Sequence, residues 1–227
     1  SNVITFDHYI DLIYNTSFMH NVWNSFVIAA ITTIICLAIG ILGSYAMTRL
    51  KYPGRSFFRN SIIISYLMPT AVLFVPMYVF VSSLGFYDNK YALLIIYPTF
   101  VVPYCCYMLI SYFKAIPYAL EEAALIDGCN RLQTLWYIIM PIALPGIAVV
   151  ATFAFTMAWN EYLYAMIMTT SNVQKTATVA ISGFKYADSA IWGRIMSASV
   201  VCSLPVTLLY IAAQSMLISG KYEGSVK

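Results

Sequence analysis

Charged side chains are scarce in this sequence. Only 9% of the 227 residues are charged, whereas 61% are hydrophobic. A soluble domain carries about 25% charged and about 45–50% apolar residues, so this chain lacks the polar surface that a soluble protein needs. The composition excludes an ordinary soluble domain and predicts an all-α, polytopic helical membrane protein with a single transmembrane domain over 1–227. The net charge of +3, without a block of like charges, gives no reason to expect a nucleic-acid partner.

Groups that bind metals or perform catalysis are also few. Both histidines, His8 and His20, lie near the N-terminus, away from any carboxylate cluster. The five cysteines lie in or beside apolar runs without metal-ligand spacing, so we expect buried free thiols. No nucleophile–base pair is visible, and Ser219-Gly220-Lys221 lacks the upstream glycine of a phosphate-binding loop. The sequence predicts no catalytic residue, no metal site and no cofactor bound by this chain.

Five apolar runs are long enough to cross a bilayer, whose hydrocarbon core needs about 20 residues per helix. They cover 22–48, 61–84, 91–113, 142–169 and 195–219. In the first run, the small residues Gly40, Gly43 and Ser44 predict a close contact with another helix. The sequence thus predicts five visible spans.

Prolines occur within four of these runs, at Pro69, Pro76, Pro98, Pro103, Pro145 and Pro205. A proline frees a backbone carbonyl and bends a helix, so one interpretation is a set of bent helices around a transport path. The other is that proline is simply common in membrane helices.

The distribution of Lys and Arg predicts the orientation in the membrane, because short cytoplasmic loops are enriched in both. Eight basic residues are predicted inside: Arg49, Lys51, Arg55, Arg59, Lys114, Arg131, Lys221 and Lys227. Four are predicted outside: Lys90, Lys175, Lys185 and Arg194. This orientation makes 1–21 and 170–194 external, and makes the loop 114–141 and the tail 220–227 cytoplasmic. Because an external N-terminus without an apolar leader is unusual, we expect a further, sixth span upstream of Ser1.

The loop 114–141 carries clear helix signals. Pro117 suits the first turn of a helix, and Gly128 suits the position just past a helix end. These two residues predict a helix of about three turns. Its acidic pair, Glu121 and Glu122, lies in the first half, where the helix dipole favours negative charge.

A second helix is predicted in the same loop. Asn130 resembles an N-cap with Gln133 as its capping-box partner, so we expect this helix to run toward Met140. The loop is then a helix-turn-helix bent at Gly128 and joined to a span at each end.

The spacing of this loop matches a known motif. Glu122-Ala123-Ala124, three residues, Gly128, nine residues and Ile138-Ile139-Met140-Pro141 resemble the EAA loop of permease subunits in ATP-binding-cassette importers, E-A-A-x3-G-x9-I-x-L-P. The chain departs from this pattern only at Met140, a volume-conserving change from leucine. The segments 126–128, 159–161, 192–196 and 219–227 resemble the carbohydrate-importing, maltose-type branch, whose permeases have six spans.

The resemblance implies a translocation subunit that is not an enzyme, in the cytoplasmic (inner) membrane of a bacterium or archaeon. It would import a sugar or oligosaccharide delivered by an extracytoplasmic solute-binding protein. The implied partners are a second, homologous permease subunit in a heterodimer, two nucleotide-binding subunits that use ATP and Mg, and membrane lipid, with no nucleic acid.

The resemblance also assigns candidate residues for coupling to the nucleotide-binding subunit, whose cleft receives the EAA helix in this family. They are Glu121, Glu122, Ala123, Ala124, Ile126, Asp127, Gly128 and Arg131. The resemblance to the maltose-type relatives implies that the tail from Gly220 onward also reaches those subunits. The alternative for the tail is a short frayed end.

Candidates for the substrate path follow from polar and aromatic residues in the fourth run: Trp159, Asn160, Glu161, Tyr162 and Tyr164. Aromatic faces stack on sugar rings, and an ionisable group inside a span is a functional candidate by default. The alternative is an aromatic belt at the membrane interface.

Three rival functions remain open: an ATP-binding-cassette permease for another polar solute, a secondary transporter or channel, and a membrane-embedded enzyme. A secondary transporter usually has ionisable pairs inside its spans, whereas Glu161 has no charged partner within its run.

Overall fold

All regular secondary structure in the described part of the chain is helical. The computed structural model describes residues 5–184 and 191–223, with side chains for 5–184 and 192–214. The first helices are α1 (Asp7–Tyr14), α2 (Phe18–Arg49), α3 (Arg55–Leu67), a 3-10 turn (Thr70–Leu73) and α4 (Phe74–Ser83). A second 3-10 turn (Lys90–Ala92), α5 (Leu93–Ile96), α6 (Pro98–Ala115) and α7 (Tyr118–Ile126) follow. The prediction of an all-α fold is confirmed.

The remaining helical segments follow α7 in the chain. They are α8 (Arg131–Thr134), a π-helical turn (Leu135–Ile139), α9 (Met140–Trp159), α10 (Leu163–Met168), α11 (Ala177–Gly183) and α12 (Ile191–Glu223). The predicted external loop 170–194 therefore contains α11 and the start of α12. The first four residues of the predicted tail 220–227 continue α12, and 224–227 lie outside the described residues.

Three helical segments in the described residues are long and apolar enough to cross a membrane: Phe18–Arg49, Arg131–Trp159 and Trp192–Gln214. Two bent pairs pass the same criterion together: Arg55–Leu67 with Thr70–Ser83, and Lys90–Ile96 with Pro98–Ala115. Five spans, the predicted number, result when each bent pair counts as one span.

The second predicted span, 61–84, is not a continuous helix. Its two halves meet at an angle of 91°. Met68 is extended, with φ −68° and ψ 132°, because the ring of Pro69 disfavours a helical conformation in the residue before it. The bend at the third span is milder, 42°, and α6 starts there with Pro98 at its first position.

The fourth predicted span, 142–169, has different ends in the structure. The helical segment begins at Arg131 and ends at Trp159. The predicted second helix of the loop is therefore the beginning of this span. The wider π-helical turn Leu135–Ile139 precedes Pro141, which cannot donate a backbone hydrogen bond, and the segment stays helical through this proline.

The chain divides into two compact units. The first contains 5–32, 70–97 and the described residues of 155–208. Leu12, Phe18, Ala177 and Ala198 form a buried apolar cluster in it. The side-chain amides of Asn21 and Asn24 donate to backbone carbonyls of the segment after α10, with both reaching Lys175 O at 3.0 Å.

The second unit contains 33–69, 98–154 and the described residues from 209 onward. In it α2 and α6 pack closely through the small residues predicted for this role. A Cβ placed on Gly40 would lie 2.9 Å from Cβ of Cys105, and Ser44 Oγ donates to Cys106 O at 3.2 Å. The predicted small-residue contact is confirmed at these positions.

The basic residues are segregated between the two units. Among the described residues, Lys90, Lys175 and Arg194 belong to the first unit. All described basic residues predicted inside belong to the second: Arg49, Lys51, Arg55, Arg59, Lys114, Arg131 and Lys221. Lys185, predicted outside, lies beyond the described residues. Each unit thus carries the charges predicted for one side of the membrane.

Candidate functional site

Helix α7 is the predicted loop helix, and local signals define both its ends. Pro117 precedes its first residue with an extended ψ of 136°. At its C-terminus Gly128 has φ +92°, a conformation that favours glycine. The amides of Gly128 and Cys129 donate to the carbonyls of Leu125 and Ala124 at 3.2 and 3.0 Å, which closes the helix as a Schellman motif.

The N-terminus of α8 is capped by side-chain hydrogen bonds. The backbone amide of Gln133 donates to Asn130 Oδ1 at 2.9 Å, and the amide of Asn130 donates to Gln133 Oε1 at 2.8 Å. This is the predicted capping box. The turn between α7 and α8 is therefore fixed by its own backbone and side chains.

Glu121 is the central buried charge of this region. Its side chain is 0% exposed. Arg131 Nη1 and the hydroxyl of Tyr45 donate to its Oε1 at 2.7 and 3.0 Å. Arg49 Nε lies 3.6 Å from its Oε2. We call Glu121, Arg49, Arg131 and Tyr45 the Glu121 cluster.

Arg49 connects three helices within the second unit. Its side chain is 4% exposed, and its Nη2 donates to the carbonyls of Phe113 and Ile116 at 2.5 and 2.7 Å. Those carbonyls lie at and just beyond the end of α6, where the amide of Ile116 also donates to Phe113 O at 3.2 Å. The guanidinium of Arg49 also lies 4.9 Å from the ring centroid of Tyr118, whose hydroxyl donates to Arg49 O at 2.7 Å.

These contacts make the cluster costly to break. Removing one partner of a buried ion pair costs about 3–5 kcal/mol, because the other charge is left buried and unpaired. Arg131 contributes less, since its side chain is 50% exposed and solvent screens its charge. Helix α7 is therefore held to α2 and α6 mainly through Glu121 and Arg49.

The opposite side of α7 is exposed. Glu122, Ala123, Ile126 and Asp127 all face outward, and Ile126 is 86% exposed. Further exposed apolar side chains follow in the next segment, at Leu132, Trp136 and Tyr137. An acidic and apolar surface is thus available for contact on a helix that is anchored from behind.

The predicted coupling residues divide between these two sides. Glu121 and Ala124 face inward, and Arg131 bonds to Glu121, so these residues are placed to position α7 rather than to lie on its outer face. Glu122, Ala123, Ile126 and Asp127 lie on the outer face, and Gly128 makes the turn. The role of all eight residues in coupling stays a prediction.

Sequence reasoning missed Arg49, Tyr45 and Tyr118 as members of this region. Arg49 was counted only as an orientation charge. The available signal was the position of Arg49 as the last residue of a long apolar helix, followed closely by Lys51.

The predicted substrate-path residues surround a second carboxylate, Glu161, within the first unit. The backbone amides of Tyr164 and Ala165 donate to its two oxygens at 2.9 and 3.1 Å. The hydroxyl of Tyr97 donates to Oε2 at 3.0 Å. The carboxylate of Glu161 therefore caps the start of α10. Glu161 lies in the short break between the end of α9 at Trp159 and the start of α10 at Leu163.

The aromatic neighbours of Glu161 are mostly buried. Trp159 is 3% exposed, donates from Nε1 to Cys202 O at 3.2 Å and stacks on Phe155. Tyr164 is buried, and its hydroxyl donates to Thr70 O at 2.9 Å. Both side chains are therefore packed inside the first unit, and their place in a substrate path stays a prediction.

Two predicted path residues remain accessible. Asn160 is exposed and Tyr162 is half-buried. In the described part of the chain, no group of three or more His, Cys, Asp or Glu side chains could hold a metal ion.

Comparison with known proteins identifies the family. A family model described as "Binding-protein-dependent transport system inner membrane component" matches residues 37–220. The chain is 37% identical over 226 residues to the inner membrane ABC transporter permease protein YcjP of Escherichia coli, covering 98% of this chain and 80% of that protein. It is 32% identical over 205 residues to the trehalose/maltose transport system permease protein MalG of Thermococcus litoralis, covering 90% of this chain and 74% of that one.

A solved structure supports the same assignment at the level of the fold. A chain from a bacterial ABC transporter involved in the import of the acidic polysaccharide alginate superposes with a TM-score of 0.78 at 22% identity. The match covers 93% of this chain and 79% of that one. The chain described here belongs to the family of binding-protein-dependent transport system inner membrane components.

Proposed function

We propose that this chain is a permease subunit of an ATP-binding-cassette importer for a sugar or oligosaccharide, and that α7 couples it to ATP hydrolysis in separate subunits. The observation that carries the proposal is α7 itself. It bears Glu122-Ala123-Ala124 on a helix that is anchored behind by the Glu121 cluster and exposed in front. Such a helix is suited to receive a push from a partner and transmit it to spans.

The sugar assignment rests on the relatives. The permease from Thermococcus litoralis belongs to a trehalose/maltose system and aligns with 90% of this chain. The alginate importer, which carries an acidic polysaccharide, has the same fold. Both are carbohydrate systems, so a carbohydrate is the substrate class that we propose.

The proposed assembly has four kinds of partner. Two nucleotide-binding subunits would bind ATP and Mg, a second permease subunit would complete the path, and a solute-binding protein would deliver the sugar. Lipid would surround the spans. The unit that carries Arg49, Lys114 and Arg131 would face the cytoplasm of the inner membrane, because cytoplasmic loops are enriched in Lys and Arg.

The proposed mechanism assigns different tasks to the two sides of α7. Glu122, Ala123 and Ile126 would lie against the nucleotide-binding subunit. Motion of that subunit would displace α7, and Glu121 would pass the displacement to Arg49 at the end of α2 and to the end of α6. Displacement of these helices is a rigid-body switch of the kind used in alternating access.

The test is uptake of radiolabelled trehalose or maltose by vesicles that contain the complete transporter and its solute-binding protein. We expect uptake to require ATP inside the vesicle. Glu122→Lys should keep ATP hydrolysis measurable while lowering the sugar imported per ATP at least about tenfold, since a reversed charge on the docking face opposes coupling. Asp7→Lys, which reverses an exposed acid on α1, is the matched control and should transport normally.

Three results would contradict the proposal. Uptake driven by an ion gradient without ATP would indicate a secondary transporter. ATP-dependent uptake of an amino acid but of no sugar would indicate a permease for another polar solute. Normal coupling in Glu122→Lys would show that α7 is not the coupling element.

A further inference from the structure

Four aromatic rings form a continuous surface within the second unit. Tyr66 of α3 stacks on Tyr107 of α6, with centroids 5.2 Å apart and planes at 11°. Tyr66 also contacts Tyr104 of α6 at 6.1 Å, and Tyr104 contacts Phe153 of α9 at 6.2 Å. We call these four residues the aromatic strip.

The strip is accessible and its hydroxyls are free. Tyr66 and Tyr107 are 39% and 41% exposed, and Phe153 is exposed as well. Among the residues that the structure describes, the hydroxyls of Tyr66, Tyr104 and Tyr107 have no hydrogen-bond partner. By contrast, the hydroxyls of Tyr45, Tyr97, Tyr118 and Tyr164 all donate to protein acceptors.

The position of the strip along its helices separates it from an interfacial belt. Tyr66 lies seven residues after Arg59, and Tyr107 lies seven residues before Lys114. At a rise of 1.5 Å per residue each ring is about 10 Å along its helix from the nearest basic residue. Tyrosines of an interfacial belt lie at headgroup level, close to such residues. Three free hydroxyls at this depth would be unfavourable against hydrocarbon.

A sugar ring is complementary both to the exposed aromatic faces of the strip and to its free hydroxyls. Its C–H faces pack on aromatic faces, and its hydroxyls can donate to and accept from phenolic oxygens. We propose that the aromatic strip is a sugar-contacting surface of the transport path, with Tyr66 and Tyr107 as its principal stacking residues. This inference rests on the proposed function, because it requires that the chain transports a sugar.

The experiment compares variants of the strip in the complete transporter reconstituted in vesicles with its solute-binding protein. Initial uptake of labelled maltose or trehalose, whichever the wild type imports, is measured beside ATP hydrolysis. Tyr66→Ala and Tyr107→Ala should each lower sugar imported per ATP about 3- to 10-fold, the size expected for loss of an aromatic contact. Tyr66→Phe and Tyr107→Trp, which keep a ring, should stay within about threefold of the wild type.

Tyr210→Ala is the matched control. Tyr210 is an exposed tyrosine of α12 in the same unit, and no aromatic contact joins it to the strip. We expect it to transport within about twofold of the wild type. Co-purification of the second permease subunit with each variant reports whether the assembly is intact.

Several outcomes would overturn the inference. Unchanged uptake by both alanine variants would remove the strip from the path. Loss of the second permease subunit from Tyr66→Ala or Tyr107→Ala would make the strip a subunit contact. An equal loss in Tyr210→Ala, or equal losses in the alanine and ring-keeping variants, would indicate a general structural effect. If the wild type imports no sugar, the proposed function and this inference fail together. Normal wild-type uptake with unaffected strip variants contradicts the inference alone.

Discussion

Glu121 and Glu161 are two glutamates held in different ways. Glu121 is buried beside two guanidinium groups and a phenol, which come from α2 and the start of α8. Glu161 is half-buried, and within the described residues its carboxylate accepts from neutral donors: one tyrosine hydroxyl and two backbone amides of α10. The first carboxylate balances charge between segments distant in sequence. The second mainly shapes the local backbone. Removal of Glu121 should therefore lower the stability of the whole fold, whereas removal of Glu161 should loosen the start of α10.

The largest effect is expected at Glu121. Glu121→Ala leaves Arg49 buried without its counter-charge and should lower the free energy of unfolding by about 3–5 kcal/mol. Glu122→Ala is the neighbouring control and should change it by less than about 0.5 kcal/mol, because that side chain is exposed. Thermal unfolding of the purified protein in detergent measures both. Equal destabilisation by the two variants would remove the distinction between the two sides of α7.

The two arginines of the Glu121 cluster should differ as well. Arg49→Ala removes the ion pair and two bonds to carbonyls at the end of α6, and we expect a loss of about 3 kcal/mol or more. Arg131→Ala should cost about 1 kcal/mol or less, because its side chain is half exposed. The same unfolding assay ranks them. A greater effect at Arg131 would contradict the assignment of Arg49 as the main anchor.

A smaller, local effect is expected at Glu161. Glu161→Ala leaves neutral donors without acceptors and should destabilise the start of α10 by about 1–2 kcal/mol. Glu161→Gln keeps one carbonyl oxygen and should lose less. Hydrogen exchange of the amides of Tyr164 and Ala165 is the measurement. Protection that is unchanged in Glu161→Ala would show that the cap does not hold this turn.

The smallest effect is a pH dependence at Asp88. The backbone amides of Ser171 and Thr170 donate to its carboxylate at 2.9 and 2.8 Å, and the amide of Ser171 is the largest cause of its lowered pKa. A pKa that is lower in the folded state stabilises the protein above the unfolded value of 3.8, and this contribution is lost as pH falls through the folded value.

Asp88→Asn therefore tests this contribution. The wild type should be slightly more stable than the variant at pH 7, and the difference should shrink below pH 4. The free energy of unfolding of both proteins, measured at pH 7 and again below pH 4, provides the comparison. A difference that grows in acid would mean that the carboxylate is not held in its charged form.

Local signals predicted the ends of α7 and the start of α8, which depend on neighbouring residues. Pro117, Gly128 and the Asn130–Gln133 capping box each act over a few residues, so a single sequence reveals them. The Glu121 cluster was not predictable in this way. Tyr45 and Glu121 are 76 positions apart, and only tertiary packing brings them together.

The helix that contains the fourth apolar run begins and ends at other residues than the run does, for two physical reasons. A proline near the start of an apolar run indicates a helix boundary, but a π-helical turn precedes Pro141 and the helix continues through it. At the other end, the apolar run hides the break at Asn160, because Glu161 starts a new helix with its own carboxylate. Hydropathy alone cannot distinguish such a cap from a charge within a span.

The Schellman motif and the capping box have a thermodynamic consequence for docking. Because both ends of the turn at Gly128 are closed by bonds within the chain, the loop does not need a partner to hold its shape. A preorganised element loses little conformational entropy when it binds, so less of the contact energy is used to order it. The proposed binding and release of a nucleotide-binding subunit would therefore require no refolding of the loop in each cycle.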